Sequence, residues 1–180
     1  MYEVEVKVPA DLEVVRDRLV ALGATSRGAV VQVDTYYDAP HRSFPDTDEA
    51  LRIREEAPTD GSDEAKLTYK GPLVDDESKT RTEIETAVLD GGKLDAILTN
   101  LEFEPAATVR KERDRFEYEG YTITLDAVDG VGEYVEVETE IERETELASA
   151  RDGAYDVLER LGLDPDEQER TSYLELLLES

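Results

Sequence analysis

The chain alternates aliphatic and charged residues over most of its length, and this period of two is the feature that most constrains its fold. The N-terminal segment YEVEVKVP (2–9) places Val on one face and Glu or Lys on the other. Because successive side chains of a strand point to opposite faces, the pattern predicts a strand with one apolar and one ionic face. Comparable segments occur at 29–37, 50–56, 64–70, 79–88, 106–118, 121–129 and 133–142. The sequence therefore predicts eight strands.

Three other segments show helical periodicity, in which apolar residues recur every three or four positions. The first helix is expected between Asp11, which suits the N-cap, and Gly23, which suits the C-cap. The other two segments are 92–101 and 146–161, and a short C-terminal segment, SYLELLL at 172–178, follows them. Short polar or glycine-containing loops separate the strands, which predicts mainly antiparallel pairing. With no repeat and no interdomain linker, we expect residues 1–180 to form a single α+β domain.

The charged faces of the predicted strands carry both signs in nearly equal number. Their members are Glu3, Glu5, Lys7, Arg52, Arg54, Lys66, Lys70, Arg81, Glu83, Glu85, Lys111, Arg113, Asp126, Glu136 and Glu138. The whole chain, in contrast, has 46 Asp and Glu against 20 Lys and Arg. A face open to solvent should share that acidity, so the balance of signs indicates an enclosed lining. Eight strands are about the number that closes a small barrel with room for one ligand.

Such a lining suits a small polyanion that is bound together with divalent cations. Carboxylates such as Glu3 and Glu5 are hard oxygen ligands, which favour Mg²⁺ or Mn²⁺. Lys and Arg side chains are the usual partners of phosphate oxygens. Side chains two positions apart on a strand lie about 6.6–7 Å from each other, so Glu-x-Glu can serve a metal while Lys7 reaches a phosphate. The chemistry therefore fits a triphosphate.

The net charge of −26 limits the partners of the chain. An exterior of this sign argues against nucleic acid and against an anionic membrane surface as ligands. No apolar run approaches the roughly 18 residues of a membrane helix, and the N-terminus lacks the pattern of a signal peptide. A cytoplasmic protein is expected by default. Heavy use of Asp and Glu with little Lys suggests a halophilic protein, because salt screens the self-repulsion of such a surface.

Seven motifs follow one another in order along the chain. They are Glu3-x-Glu5-x-Lys7, ALRIRE (50–55), KLTYKGP (66–72), RTEIE (81–85), VRKERDRF (109–116), ITLDAVDGVGEYVEVE (123–138) and SYLELL (172–177). Together they resemble the CYTH or triphosphate tunnel metalloenzyme superfamily over nearly the whole chain. The resemblance implies an eight-stranded antiparallel closed β-barrel, the triphosphate tunnel, with helices packed on its outside. It also implies an enzyme that binds a triphosphate with Mg²⁺ or Mn²⁺.

Individual roles follow from the same resemblance. Substrate-binding positions are expected at Lys7, Arg52, Arg54, Lys66, Lys70, Arg81, Lys111 and Arg113. Metal ligands are expected at Glu3, Glu5, Glu136, Glu138 and Asp126. A catalytic role is expected for Asp126, Lys7 and Arg113, although Asp126 could equally serve as a metal ligand, a proton acceptor or an ion-pair partner. Glu83 and Glu85 could bind metal or simply hold neighbouring arginines in place.

Within the superfamily, the motifs are most similar to those of class IV adenylate cyclases, which convert ATP to cyclic AMP and pyrophosphate. Two alternatives stay open from the sequence. One is a triphosphate hydrolase, such as thiamine triphosphatase or inorganic tripolyphosphatase, which directs water at the terminal phosphate in the same tunnel. The other is a non-catalytic sensor of nucleotides or polyphosphate. A homodimer is an expectation from the resemblance, and the apolar SYLELLL end could cap the tunnel or meet another subunit.

Overall fold

Eight antiparallel strands close into a barrel in a computed structural model that describes residues 1–59 and 61–180. The strands are β1 (Tyr2–Pro9), β2 (Thr25–Asp38), β3 (Ala50–Pro58), β4 (Glu64–Leu73), β5 (Lys79–Val88), β6 (Glu104–Tyr118), β7 (Tyr121–Val128) and β8 (Gly132–Ile141). Their order around the barrel is β1-β5-β4-β3-β2-β6-β7-β8, so the first strand pairs with both β5 and the last strand. The predicted closed barrel is therefore confirmed.

Five α-helices accompany the barrel in the described part of the chain. They are α1 (Leu12–Ala21), α2 (Phe44–Thr47), α3 (Gly91–Asn100), α4 (Leu147–Arg160) and α5 (Tyr173–Glu179). The N-cap prediction for α1 is confirmed, since the Asp11 carboxylate accepts hydrogen bonds from two first-turn amides. The C-cap is Leu22, and Gly23 follows it with φ +77, the left-handed conformation that glycine adopts without strain. None of these helices is long and apolar enough to cross a membrane.

Two elements differ most from the sequence-based expectation, while the bounds of several other strands shift by one to three residues. Helix α2 was not predicted, because its four residues are too few to show a helical period. Strand β2 begins at Thr25, four residues before the expected start at 29. The extension contains a register shift between Ser26 and Gly28. The residues before 29 do not alternate regularly in polarity, and the sequence therefore did not indicate a strand there. Neither difference changes the order of the strands.

The apolar core lies outside the barrel, between its wall and the helices. Aliphatic residues on the outer faces of β1, β7 and β8 pack against α1 and α4. Fully buried residues of this core include Val6, Ile123 and Val137 of the strands and Leu19 and Leu158 of the helices. Burying one such side chain contributes roughly 1.5–3 kcal/mol. The opposite, ionic face of each strand consequently points into the barrel. The period-2 pattern of the sequence thus separates a packed exterior wall from a charged interior.

The chain beyond α4 is fastened across one end of the barrel. Gln168 donates a 2.9 Å hydrogen bond to the carbonyl oxygen of Glu77, at the tip of the β4–β5 hairpin. Arg170 reaches the carbonyl oxygen of Asp75 at 2.7 Å, and Arg151 of α4 pairs with the Asp75 carboxylate at 3.3 Å. These contacts place α5 over the end at which β6 begins and β7 stops, where Tyr173 packs with Val109 and Val128.

Candidate active site

The barrel encloses a cavity of about 370 Å³. Thirteen of the residues predicted to face inward line it: Glu3, Glu5, Arg52, Arg54, Lys66, Lys70, Arg81, Glu83, Glu85, Lys111, Arg113, Glu136 and Glu138. They come from β1, β3, β4, β5, β6 and β8 and converge because alternate residues of every strand share the inner face. The enclosed ionic lining that the sequence predicts is therefore present.

Three carboxylates form a cluster on one side of the cavity. Oxygen atoms of Glu3, Glu5 and Glu138 all lie within 4.8 Å of one another. Glu5 stands directly opposite Glu138 in the β1–β8 register, and Glu3 is the next inward residue of β1. Such a group of hard oxygen donors is the kind of site that Mg²⁺ or Mn²⁺ prefers.

The three carboxylates differ in how their charge is balanced. Glu3 pairs with the Lys70 ammonium at 2.8 Å, and Glu5 pairs with Lys79 at 3.1 Å. Burial opposes ionisation of Glu3, but the charges of Lys70 and Arg52 and the hydrogen bonds that Glu3 makes together outweigh burial and lower its pKa to about 2. Glu138 forms no ion pair with any residue in the described ranges, and burial together with the nearby Glu3 charge raises its pKa to about 8. Lysines pair with only two of the three carboxylates, so a cation held between the three would be electrostatically favoured.

Arginine and lysine side chains form the opposite wall. Arg54 is held by the Asp34 carboxylate through Nε and a terminal nitrogen, both at 2.7 Å. Arg113 is held in the same way by Asp126, at 2.6 and 2.5 Å, and also bonds to Glu136 at 2.6 Å. Such two-pronged pairs fix the guanidinium planes.

Two other cations of this wall are bound less tightly. Arg52 lies 3.5 Å from Asp34 through one terminal nitrogen, and its buried Nε has no hydrogen-bond partner among the described residues. Lys111 has its nearest carboxylate, Asp126, at 3.8 Å. Burial and the neighbouring Arg113 lower the pKa of Lys111 to about 8. Arg52 and Lys111 therefore retain donors for an anion in the cavity.

The remaining predicted cations are tied to the wall around them. Lys66 lies 3.3 Å from Glu85, and Lys70 bridges Glu3 and Glu83 at 2.8 Å each. Arg81 is turned towards the loop after α2. It donates to the carbonyl oxygens of Asp48 and Gly71 at 2.8 Å and to the Asp48 carboxylate at 2.9 Å.

The structure places Lys7 and Asp126 behind the cavity, beneath α5. Both side chains are fully buried on inward positions, but neither lines the cavity. The Lys7 ammonium donates to the carbonyl oxygen of Thr171 at 2.6 Å and lies 4.2 Å from the centre of the Tyr173 ring. The Tyr173 hydroxyl donates to Asp126 at 2.9 Å. Burial and the charge of Lys79 lower the pKa of Lys7 to about 7.

These positions separate the predicted metal ligands into two groups. Glu3, Glu5 and Glu138 are brought together, whereas Glu136 and Asp126 are both bonded to Arg113. Asp126 thereby has the arrangement of an ion-pair partner, one of the three roles left open by the sequence. Metal ligation by Glu136 and Asp126, and the catalytic roles of Asp126, Lys7 and Arg113, stay predictions.

Several residues of the site were missed by the sequence-based reasoning. Asp34 is fully enclosed on β2, and Lys79 lines the cavity beside Glu5. Lys79 could have been found, since it has the same strand phase as Arg81. Asp34 shares its face of β2 with Gln32 and Tyr36, which are two positions before and after it. Both of these residues are uncharged, so the sequence indicated no ionic face on this strand.

Apolar side chains gather at one end of the cavity. Tyr36 near the end of β2, Phe44 and Pro45 of α2, and Leu174 and Leu178 of α5 line it together with charged residues. Phe44 is buried, whereas Leu178 is 65% exposed. The lining is therefore ionic in its middle and mixed at this end.

A closed barrel of eight antiparallel strands with an ionic lining defines the class of tunnel folds. The chain belongs to the CYTH domain family, whose model matches residues 1–173. The resemblance inferred from the seven motifs is thereby confirmed.

Related proteins cover the whole fold. A Methanocaldococcus jannaschii protein provisionally named an adenylate cyclase is 37% identical over 177 residues, which cover 98% of this chain and 98% of that protein. The adenylate cyclase CyaB of Aeromonas hydrophila is 27% identical over 147 residues, which cover 82% of this chain and 72% of that protein. The solved structure of the PH1819 protein from Pyrococcus horikoshii superposes with a TM-score of 0.92 at 40% identity, and the match covers 98% of both chains.

Proposed function

We propose that residues 1–180 act as one CYTH-like enzyme domain that uses a divalent metal to process a triphosphate, with the cyclisation of ATP to cyclic AMP as the leading reaction. One observation carries the proposal. The Glu3–Glu5–Glu138 trio and the cations Arg52 and Lys111, which keep unused donors, line a single enclosed cavity. A carboxylate cluster alone would serve a metal, and a cationic wall alone would serve an anion. Their combination suits a metal–triphosphate complex.

The metal fits the trio by charge and by donor type. Glu3, Glu5 and Glu138 offer oxygen ligands within 4.8 Å of one another, and Glu138 has no cationic partner in the part of the chain that the structure describes. Bound Mg²⁺ or Mn²⁺ would neutralise phosphate charge and make the attacked phosphorus more electrophilic. Phosphates of the substrate would complete its coordination, as is usual for Mg²⁺ sites with few protein ligands.

The cationic wall would hold the phosphate chain. Arg52 and Lys111 would bind phosphate oxygens directly, because their donors are the least occupied. Arg113 would present a fixed guanidinium, since Asp126 and Glu136 prevent it from turning. A fixed donor stabilises charge that develops on the phosphoryl oxygens without a cost for reorganisation. Arg54, Lys66, Lys70 and Arg81 add positive charge around the same space.

Cyclisation is preferred because two of the relatives named above carry adenylate cyclase names and because apolar side chains gather at one end of the cavity. The base of ATP would lie against Tyr36 and Phe44. In the reaction the ribose 3′-oxygen bonds to the α-phosphorus, the bond from that phosphorus to the bridging oxygen breaks, and pyrophosphate leaves. The proton that the 3′-hydroxyl loses ends on the released pyrophosphate.

A product assay tests the proposal. The full chain would be incubated with Mg²⁺ or Mn²⁺ at molar KCl, with ATP, thiamine triphosphate and tripolyphosphate in separate reactions. Cyclic AMP and pyrophosphate in equal amounts from ATP are expected. Orthophosphate as the sole product would show that the enzyme hydrolyses triphosphates in the same tunnel and does not cyclise ATP. Binding without any product would favour a sensor, and absence of both binding and product would refute the proposal.

A further inference from the structure

Asp34 is a buried carboxylate that touches the cavity wall without lining the cavity. It points inward from β2 and is 1% exposed. Its two oxygens accept hydrogen bonds from Nε and a terminal nitrogen of Arg54, each at 2.7 Å. One of the same oxygens lies 3.5 Å from Arg52. Asp34 thus stands between two arginines that occupy successive inward positions of the neighbouring strand.

The charge of Asp34 is held in place by its surroundings. Burial alone would raise the pKa of this carboxyl, but Arg54 and Arg52 outweigh burial and keep the pKa well below its usual range. Lys111, on the strand on the other side of β2, acts in the same direction. The Asp34 carboxylate therefore lies among three cations, all of which line the cavity.

The two arginines are bonded unequally, and this inequality has a consequence for the site. Arg54 is fixed in a two-pronged pair with Asp34, whereas Arg52 has a single, longer contact with that carboxylate and a buried Nε without a hydrogen-bond partner among the described residues. We infer that Asp34 is a positioning residue of the tunnel. By fixing Arg54 and leaving Arg52 partly unbonded, it aims the Arg52 guanidinium at the phosphate chain of the substrate.

This role rests on the proposed function, and it makes a prediction that differs from loss of a simple structural contact. Asp34→Asn removes a negative charge from the cationic wall, so attraction of the anion should be kept or increased. The arginines, however, lose the group that sets their planes. Misplacement of a binding group by about 1 Å can slow a reaction by a factor of about 10². A fall in kcat with an unchanged or lower KM is therefore the expected signature.

The experiment compares the full-length wild-type chain with Asp34→Asn and with Asp114→Asn as a matched control. Asp114 also pairs with an arginine, Arg16, at 2.5 Å, but on the outer side of the barrel. Metal-free binding of tripolyphosphate is measured by calorimetry, and kcat and KM are measured with ATP. For Asp34→Asn we expect binding within about 3-fold of the wild type and a kcat at least about 10-fold lower. For Asp114→Asn we expect wild-type values in both measurements.

Three outcomes would overturn the inference. An unchanged kcat in folded Asp34→Asn would show that Arg52 needs no positioning by this carboxylate. A loss of activity that only follows the folded fraction, measured by circular dichroism, would show a purely structural role. A wild-type chain that binds no triphosphate would refute the proposed function together with the inference.

A second variant covers the case in which Asp34→Asn does not fold. Asp34→Glu keeps the charge but moves the carboxylate one methylene group further from β2, towards the two arginines with which Asp34 is buried. Its kcat is expected to fall at least about 3-fold with binding unchanged, since the arginines must shift to accommodate it. Full wild-type kcat in Asp34→Glu would also overturn the inference.

Discussion

The ammonium group of Lys7 donates a 2.6 Å hydrogen bond to the carbonyl oxygen of Thr171, which joins the first strand of the barrel to the segment before the last helix. The Tyr173 ring covers this ammonium, and its hydroxyl reaches Asp126 on β7. The C-terminal segment is therefore part of the wall of the site. Its removal would expose two buried ionic groups at once.

The hydroxyl of Tyr173 supports the first prediction. Tyr173→Phe should leave Asp126 with one donor fewer, which costs about 1–3 kcal/mol because the carboxylate is fully buried. Turnover should fall as well, since Asp126 holds Arg113 at the cavity. The free energy of unfolding in urea and the initial rate with ATP provide the two measurements.

Tyr121→Phe is the matched control for this change. The Tyr121 hydroxyl donates to the carbonyl oxygen of Ala150 on α4, outside the barrel, and Gly153 allows the ring to lie close to the helix. This variant should lose stability to a similar extent and keep its turnover per folded molecule. Equal loss of turnover in both variants would contradict the special position of Tyr173.

The carboxylate trio gives a second prediction. Glu138→Gln and Glu5→Gln should each abolish metal-dependent turnover, with a loss of about 100-fold or more, because each removes a proposed ligand. Glu138→Gln should not lower the metal-free melting temperature, since Glu138 has no ion pair in the described structure and its ionised form is disfavoured by burial and by the charge of Glu3. Thermal unfolding without metal, followed by rate measurements with Mg²⁺, would test both parts.

Glu112→Gln serves as the control, because this exposed carboxylate lies on the outer face of β6. It should have no effect on turnover. Unchanged turnover in Glu138→Gln would remove Glu138 from the proposed metal site, whereas a lower metal-free melting temperature would indicate a cationic partner for it.

The pairing of Asp34 predicts a dependence of stability on pH. The pKa of Asp34 is lower in the folded chain than in the unfolded chain, so its ion pairs contribute stability above the unfolded value near 4. That contribution is lost progressively as the pH falls below 4 towards the folded value. Asp34→Asn should therefore cost more at pH 7, about 3–5 kcal/mol for a broken buried pair, than at pH 3. Urea unfolding of both proteins at the two pH values would measure the difference, and an equal cost at both would contradict the assignment.

The acidic exterior gives a prediction about salt. Most of the net charge of −26 lies outside the cavity, whose lining holds similar numbers of both signs. Surface repulsion should be screened as the Debye length falls to about 3 Å at 1 M salt. We expect the urea midpoint to rise between low and molar KCl. An unchanged midpoint would argue against adaptation to high salt.

Strand phase made much of the site predictable. A residue such as Arg52 or Lys111 must face inward once its aliphatic neighbours are assigned to the helices, and this rule does not require knowledge of the barrel's order. The phase could not, however, reveal what lies behind the wall. Lys7 and Asp126 have the correct phase but are covered by α5, a contact set by residues about 160 and 50 positions away in the chain. The different bonding of Arg52 and Arg54 to Asp34 likewise depends on side-chain rotamers, which the alternation of apolar and charged residues does not specify.

The pairing of β1 with β8 also concerns how the protein is made. A ribosome synthesises the chain from the N-terminal side, so Glu3 and Glu5 emerge long before their spatial neighbour Glu138. At about 5–20 residues per second, the trio cannot assemble until several seconds of translation have passed. A nascent or prematurely terminated polypeptide would therefore carry two thirds of this cluster without being able to complete it.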